Sequence, residues 1–228
     1  MTSKKYKKTI VAAALGALLS APALAHEAGD ILVRAGAILV APDDSSSRIR
    51  TDGTGPIAGS RAKVGNNTQL GLTFGYMLTD NIGIELLAAT PFSHRVNVSG
   101  VGPGIDGTFA DVKHLPPTVT LQYYPMASES RWQPYVGAGI NYTRFFSEKL
   151  SRQQKDNGFS RLSLSDSWGL ALQVGSDWKI NDRWMLNAAV WHIDINTTAR
   201  ARHATLGTVK TKVDIDPWVY MVGLGYRF

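Results

Sequence analysis

The chain of 228 residues has no cysteine, so no disulfide can brace it in any compartment. Beyond residue 25 it has no run of about 20 apolar residues, which excludes a membrane-spanning helix. That same stretch shows no apolar repeat of helical period. A sheet with one apolar face would therefore find no helical layer in this chain to cover it. Acidic side chains are absent from the first 25 residues, which hold four lysines. Without that segment the formal charge falls from +6 to +2. The basic balance is mostly a property of the leader and gives no support to a nucleic-acid partner.

The leader has a recognisable plan. Lys4, Lys5, Lys7 and Lys8 form a positive region, residues 9–19 a short apolar core, and Ala23-Leu24-Ala25 a small-residue cleavage site. This predicts a cleaved secretory signal peptide over residues 1–25, too short to span a bilayer as a helix. Residues 26–228 then form one domain.

What is present in that domain is alternation. Trp168, Leu170, Leu172 and Val174 fall on one face of a strand; Gly169, Ala171, Gln173, Gly175 and Asp177 fall on the other. Ten residues at about 3.3 Å rise and a tilt of roughly 40° climb about 25 Å, the height of a barrel's apolar band. Trp168 and Trp178 would sit at its two rims, where tryptophan anchors membrane proteins. The period of two recurs from Ile31, Leu70, Ile82, Val119, Ala138, Leu186 and Trp218. The fold class that follows is all-β: an eight-stranded antiparallel transmembrane β-barrel. Closure pairs every backbone group without help from disulfides.

Connections alternate in length. Residues 79–81, 126–133 and 180–183 are short and turn-like; residues 42–68, 95–115, 147–161 and 199–209 are long and polar. Short periplasmic turns and long extracellular loops are the arrangement expected of such a barrel in the outer membrane of a Gram-negative bacterium. Trp132, Trp178 and Trp184 then fall at the periplasmic rim, Trp168 and Trp218 at the outer one. The chain ends on Phe228, on the lipid face, as a signal to the outer-membrane assembly machinery would. The lipid face is uniformly apolar, which favours a monomer with membrane lipid as its surroundings.

Eight strands enclose only enough space for side chains. Arg34, Glu85, Asp177 and Arg227 fall on the lumen face toward the periplasmic ends of their strands, and buried charges must pair. They are expected to plug the lower lumen. Leu87 and Phe145 lie on the lumen parity, and Val213 and Ile215 lie opposite in parity to Trp218 and Tyr220. A bulge near Pro217 would turn the last two outward; otherwise the four line an apolar upper lumen, which is the expectation. Pro91 lies within the third strand and Pro116-Pro117 open the fourth. Proline cannot donate to a ladder, so either these mark strand ends or they leave the seam between those strands short of hydrogen bonds near its outer end. His94, His114 and His203 fall in or beside loops with no carboxylate or serine at a diagnostic spacing, so no catalytic group, metal or other cofactor is expected.

Several segments resemble one family in order along the chain: His26-Glu27-Ala28-Gly29-Asp30, Pro42-Asp43-Asp44-Ser45-Ser46, Leu115-Pro116-Pro117-Thr118, Gln122-Tyr123-Tyr124-Pro125, Gln133-Pro134-Tyr135-Val136-Gly137 and Asp216-Pro217-Trp218. They are similar to the OmpW family, and most so to its pseudomonad branch. The resemblance implies a narrow eight-stranded barrel with a hydrophobic pocket in its outer half. It also implies passage of small hydrophobic molecules and a lateral opening at the motif matched by Thr90-Pro91-Phe92, which makes Pro91, with Pro116 and Pro117, the expected gate. For the pseudomonad branch it implies small amino acids as alternative solutes. A structural or adhesive barrel without transport is the third reading.

Overall fold

The computed structural model describes residues 26–53, 55–127 and 129–228. The expected signal peptide, residues 1–25, lies outside the described residues.

Eight strands form the barrel wall: β1 (Ile31–Ala41), β2 (Asn67–Met77), β3 (Ile82–Ala89), β4 (Thr118–Tyr123), β5 (Trp132–Leu150), β6 (Ser167–Lys179), β7 (Trp184–Ile193) and β8 (Trp218–Arg227). Each pairs antiparallel with its chain neighbours, and β8 returns to pair with β1, so the sheet closes. The alternation decides which side faces out. On β6, Leu170, Leu172 and Val174 are 62–65 % exposed while Ala171 and Gln173 are 1 % and 2 %. Apolar outside and polar inside is the reverse of a water-soluble sheet and suits lipid around a packed lumen.

Trp132 stands opposite Trp178, and Trp184 opposite Tyr226, at the short-turn end. Tyr142 stands opposite Trp168, and His192 opposite Trp218, at the other. Side chains close two of the short turns. Thr79 Oγ1 accepts from the Ile82 amide at 3.0 Å, and Asn181 Oδ1 accepts from the Trp184 amide at 2.9 Å.

The outer end departs from the expected long loops. Much of residues 95–115 and 199–209 is paired strand: Phe92–Ser99 with Gly107–Leu115, and Asn196–His203 with Gly207–Asp214. β5 itself runs on to Leu150. Above the lipid band the barrel divides into two facing sheets. One holds Arg61–Val64, Phe92–Ser99, Gly107–Leu115 and the outer part of β5. The other holds Phe159–Leu164, Asn196–His203, Gly207–Asp214 and the short segments Ser45–Ser46, Arg50–Thr51 and Gly55–Pro56. Outside the lipid the outward face turns from apolar to polar or charged, as at Ser93, Arg95 and Asn97. Inward positions such as Phe92 and Val98 stay buried. Such strands resemble polar loops to a reading that seeks a greasy outer face.

A helix of five residues, α1 (Arg152–Asp156), caps the outer end, its N-cap Ser151 accepting from the Gln154 amide at 3.3 Å. Buried Gln154 donates to the Ile105 carbonyl at 2.7 Å and ties α1 to the 100–106 turn.

Candidate functional site

The lower lumen is closed by charge. Arg34, Glu85 and Asp177 are at most 1 % exposed. Arg34 Nη1 donates to Glu85 at 2.6 Å and its Nε to Asp177 at 2.9 Å, so one guanidinium bridges β1 to β3 and β6. The remaining valences are filled: Tyr124 OH accepts from Arg34 at 3.0 Å, Asn187 donates to Asp177 at 2.8 Å, and the ring of Tyr135 lies 5.3 Å from the guanidinium carbon. Gly175 makes room for that ring, since a Cβ there would come within 2.4 Å of it. Above, Gln173 accepts from Thr120 at 2.9 Å and Gln122 at 3.0 Å and donates to Glu85 at 2.9 Å. The charged groups of this network are all paired, which makes it rigid, although Asn187 Oδ1 is buried without a hydrogen-bond partner. Arg227, expected beside these residues, is not in the cluster. It sits at the last rung of β8, on the short-turn rim, and donates to Asp30 and to the Asp182 carbonyl.

The upper lumen is apolar. A cavity of about 90 Å³ lies between the two outer sheets, and Phe145, Val213 and Ile215 line it with Val112, Phe109 and Phe159. No bulge turns Val213 and Ile215 outward: 213, 215, 217, 219 and 221 are all buried. Leu87 is buried as well but lies below the cavity and does not line it. His94 and His114 bring polar atoms to this wall, their ring centroids 4.8 Å apart. His94 Nδ1 donates to the Gly65 carbonyl, which leaves its Nε2 an acceptor. That Nε2 and His114 Nδ1 are buried without a hydrogen-bond partner in the protein. Burial lowers the pKa of both, and with the adjacent His94 it pushes His114 down to about 3. His203 is elsewhere, packed edge-on to Phe159 at the tip of the opposite sheet. Among the described residues no three His, Cys, Asp or Glu side chains gather as metal ligands would.

The prolines interrupt one seam. β3 and β4 pair up to Leu87 opposite Thr118, and pairing resumes at Phe92 opposite His114. Between them residues 88–91 face residues 115–117 without a ladder pair. Pro91, Pro116 and Pro117 can donate nothing there. The gap falls at the outer end of the β3–β4 pairing, and Pro91 lies past the end of β3, not within it as the sequence suggested, because regular pairing stops at the prolines and resumes as soon as they are passed. Both edges remain anchored on their far sides, Thr90 N to Leu70 O and Tyr142 N to Pro117 O, each at 3.1 Å. On the first rung above the gap, Phe92 stacks on cavity-lining His114 at 5.4 Å.

A closed antiparallel barrel, lipid-facing outside, plugged below and apolar above, is a specific architecture, and comparison with known proteins gives it a family. The OmpW family model matches residues 27–228. The chain belongs to the OmpW family. It is 49 % identical to Outer membrane protein W of Vibrio cholerae over 97 % of this chain and 100 % of that one. The crystal structure of OprG from Pseudomonas aeruginosa superposes with a TM-score of 0.86 at 50 % identity, covering 90 % and 98 % of the two chains. A more distant relative, the dibenzothiophene metabolism operon protein PahQ of Pseudomonas aeruginosa, is 27 % identical over 81 % of this chain and 82 % of its own. The protein is thus an outer-membrane barrel of Gram-negative type.

Two residues of this OmpW barrel escaped the sequence reading. His26, the first described residue, is 1 % exposed, bonds Asp177 at 3.2 Å and packs edge-on to Tyr124. It precedes β1, so no strand parity pointed to it. Trp191 is 1 % exposed and fills the lumen at the level of Gln173. Its signal was present, since it shares parity with Met185, Asn187 and Ala189 and opposes Leu186, Ala188 and Val190.

Proposed function

We propose that this protein is a channel through which small hydrophobic molecules cross the outer membrane, leaving sideways through the wall near Pro91. The observation that carries the reading is the conjunction of an apolar cavity with a sealed floor and an unpaired seam beside it. A solute resting among Phe145, Val213 and Ile215 meets Arg34, Glu85 and Asp177 below. Driving an apolar molecule through a fully paired ionic network would leave buried charges unpaired, at a cost of several kcal/mol. The gap at 88–91 and 115–117 has no ladder hydrogen bonds to break, and it opens toward lipid, an apolar solvent. Phe92 and His114 stand between cavity and gap, so passage requires only that these rings turn. The name of PahQ, from an operon for metabolism of an apolar aromatic, supports the same solute class. The part played here is passage, with no catalytic step assigned.

Uptake into liposomes carrying the purified barrel tests this, with toluene and glycine as solutes in wild type and Pro91→Ala. The variant restores one backbone donor at the gap. Toluene uptake is expected to fall severalfold. Equal toluene uptake by both proteins would contradict the lateral route, uptake of glycine alone would favour small amino acids, and uptake of neither would leave a structural barrel.

A further inference from the structure

The outer face of the second outer sheet carries a cationic ladder that the channel reading does not use. Arg200 stands directly opposite Lys210, and Lys210 directly opposite Arg50, so three cations follow one another across three strands. Arg202 and Lys212 flank them on the same face, and Arg48 lines a shallow groove with Arg50, Lys210 and Lys212. All six are exposed. Among the described residues none has a carboxylate within 4 Å. The acid in the groove, Asp52, is engaged with the Thr208 amide at 2.9 Å. Like charges directly opposite each other on a sheet are destabilising. With the whole domain near +2, six cations on one face are a segregation of charge, not a reflection of composition. An anion on this face would remove the repulsion.

Height above the bilayer selects the anion. Lys212 and Lys210 precede rim residue Trp218 by six and eight positions. At about 3.3 Å rise and roughly 40° tilt they stand about 15–20 Å above that ring. Phosphates at the level where acyl chains begin lie too low. We propose that this face binds the phosphate-bearing sugars of the surrounding outer-leaflet glycolipid, above its acyl-anchored portion. The four arginines offer paired N–H donors to phosphate oxygens, and the two lysines add point charges.

Purified barrel in detergent micelles, titrated with lipopolysaccharide of two chemotypes, tests the assignment. One chemotype carries a complete phosphorylated core; the other is truncated to its acylated, phosphorylated disaccharide. Heparin serves as a soluble polyanion. Wild type is expected to bind the complete form about tenfold more tightly than the truncated one, and more weakly in high salt. Arg50→Gln with Lys210→Gln should abolish that difference while leaving the unliganded melting temperature unchanged or raised, since repulsion is relieved. Arg50→Lys, which keeps the charge, should retain most of the binding and guards against misfolding of the double variant. Equal binding of the two chemotypes, an unaffected double variant, or tighter binding of heparin than of the complete glycolipid would each overturn the proposal.

Discussion

Arg34 is the residue on which the lower lumen depends. Replacing it with leucine keeps volume but leaves Glu85 and Asp177 buried without their cation, a loss of about 3–5 kcal/mol. The urea midpoint in detergent should fall accordingly; an unchanged midpoint would mean that the three groups are not a coupled cluster. His114 makes a second, pH-dependent claim. Its pKa in the folded barrel, about 3, lies below the 6.5 of an ordinary histidine. The unfolded chain therefore binds the proton more readily, so stability is complete above pH 6.5 and falls as pH drops toward 3. At pH 5 that loss is about 2 kcal/mol. His114→Phe keeps the stack on Phe92 and Phe145 and should lose less stability between pH 7 and pH 5 than wild type does. Strand parity alone was enough to place Arg34, Glu85 and Asp177 inside. It put Arg227 there too, yet Arg227 lies at the rim, because parity says which way a side chain points and not how high it stands. Height comes from the stagger between strands, which no single strand encodes.

At the scale of elements, the lipid-facing strands were legible because their two faces meet opposite solvents, and β6 is the clearest case. The outer extensions were not. Phe92–Ser99 and Gly207–Asp214 present charge to water, so their period of two survives only on the buried side. The prolines were legible as an interruption but not in extent, since resumption of pairing at Phe92 opposite His114 depends on a partner strand some twenty residues away. The roof was invisible in sequence, for α1 is too short to show a helical period. Its hold on the 100–106 turn is shared by Gln154, which is the buried member, and by Gln153 and Asn157, which both donate to the Gly104 carbonyl at 2.7 Å. Gln154→Ala should cost about 1–2 kcal/mol in unfolding free energy, as expected for a buried hydrogen bond with one partner removed, and should speed toluene uptake by loosening the outer end. Slower uptake, or none of this destabilisation, would show that the roof does not limit access.

The whole molecule divides by height into a rigid polar floor, an apolar chamber and a charged exterior, and each follows from what surrounds or fills it. Among the described residues the eight strands of the lipid-crossing wall pair around a closed ring, and the ladder between β3 and β4 breaks off at residues 88–91 and 115–117, beside the chamber. Function, on this account, comes from placing a flaw in that ladder. Absence of native cysteine makes the flaw directly addressable. Ala89 and Pro116 face each other where the Leu87–Thr118 register would continue. An Ala89→Cys, Pro116→Cys barrel in liposomes can therefore be locked by oxidation and released by dithiothreitol. The account predicts that toluene uptake stops in the oxidised form and returns on reduction; equal uptake in both states would contradict lateral release.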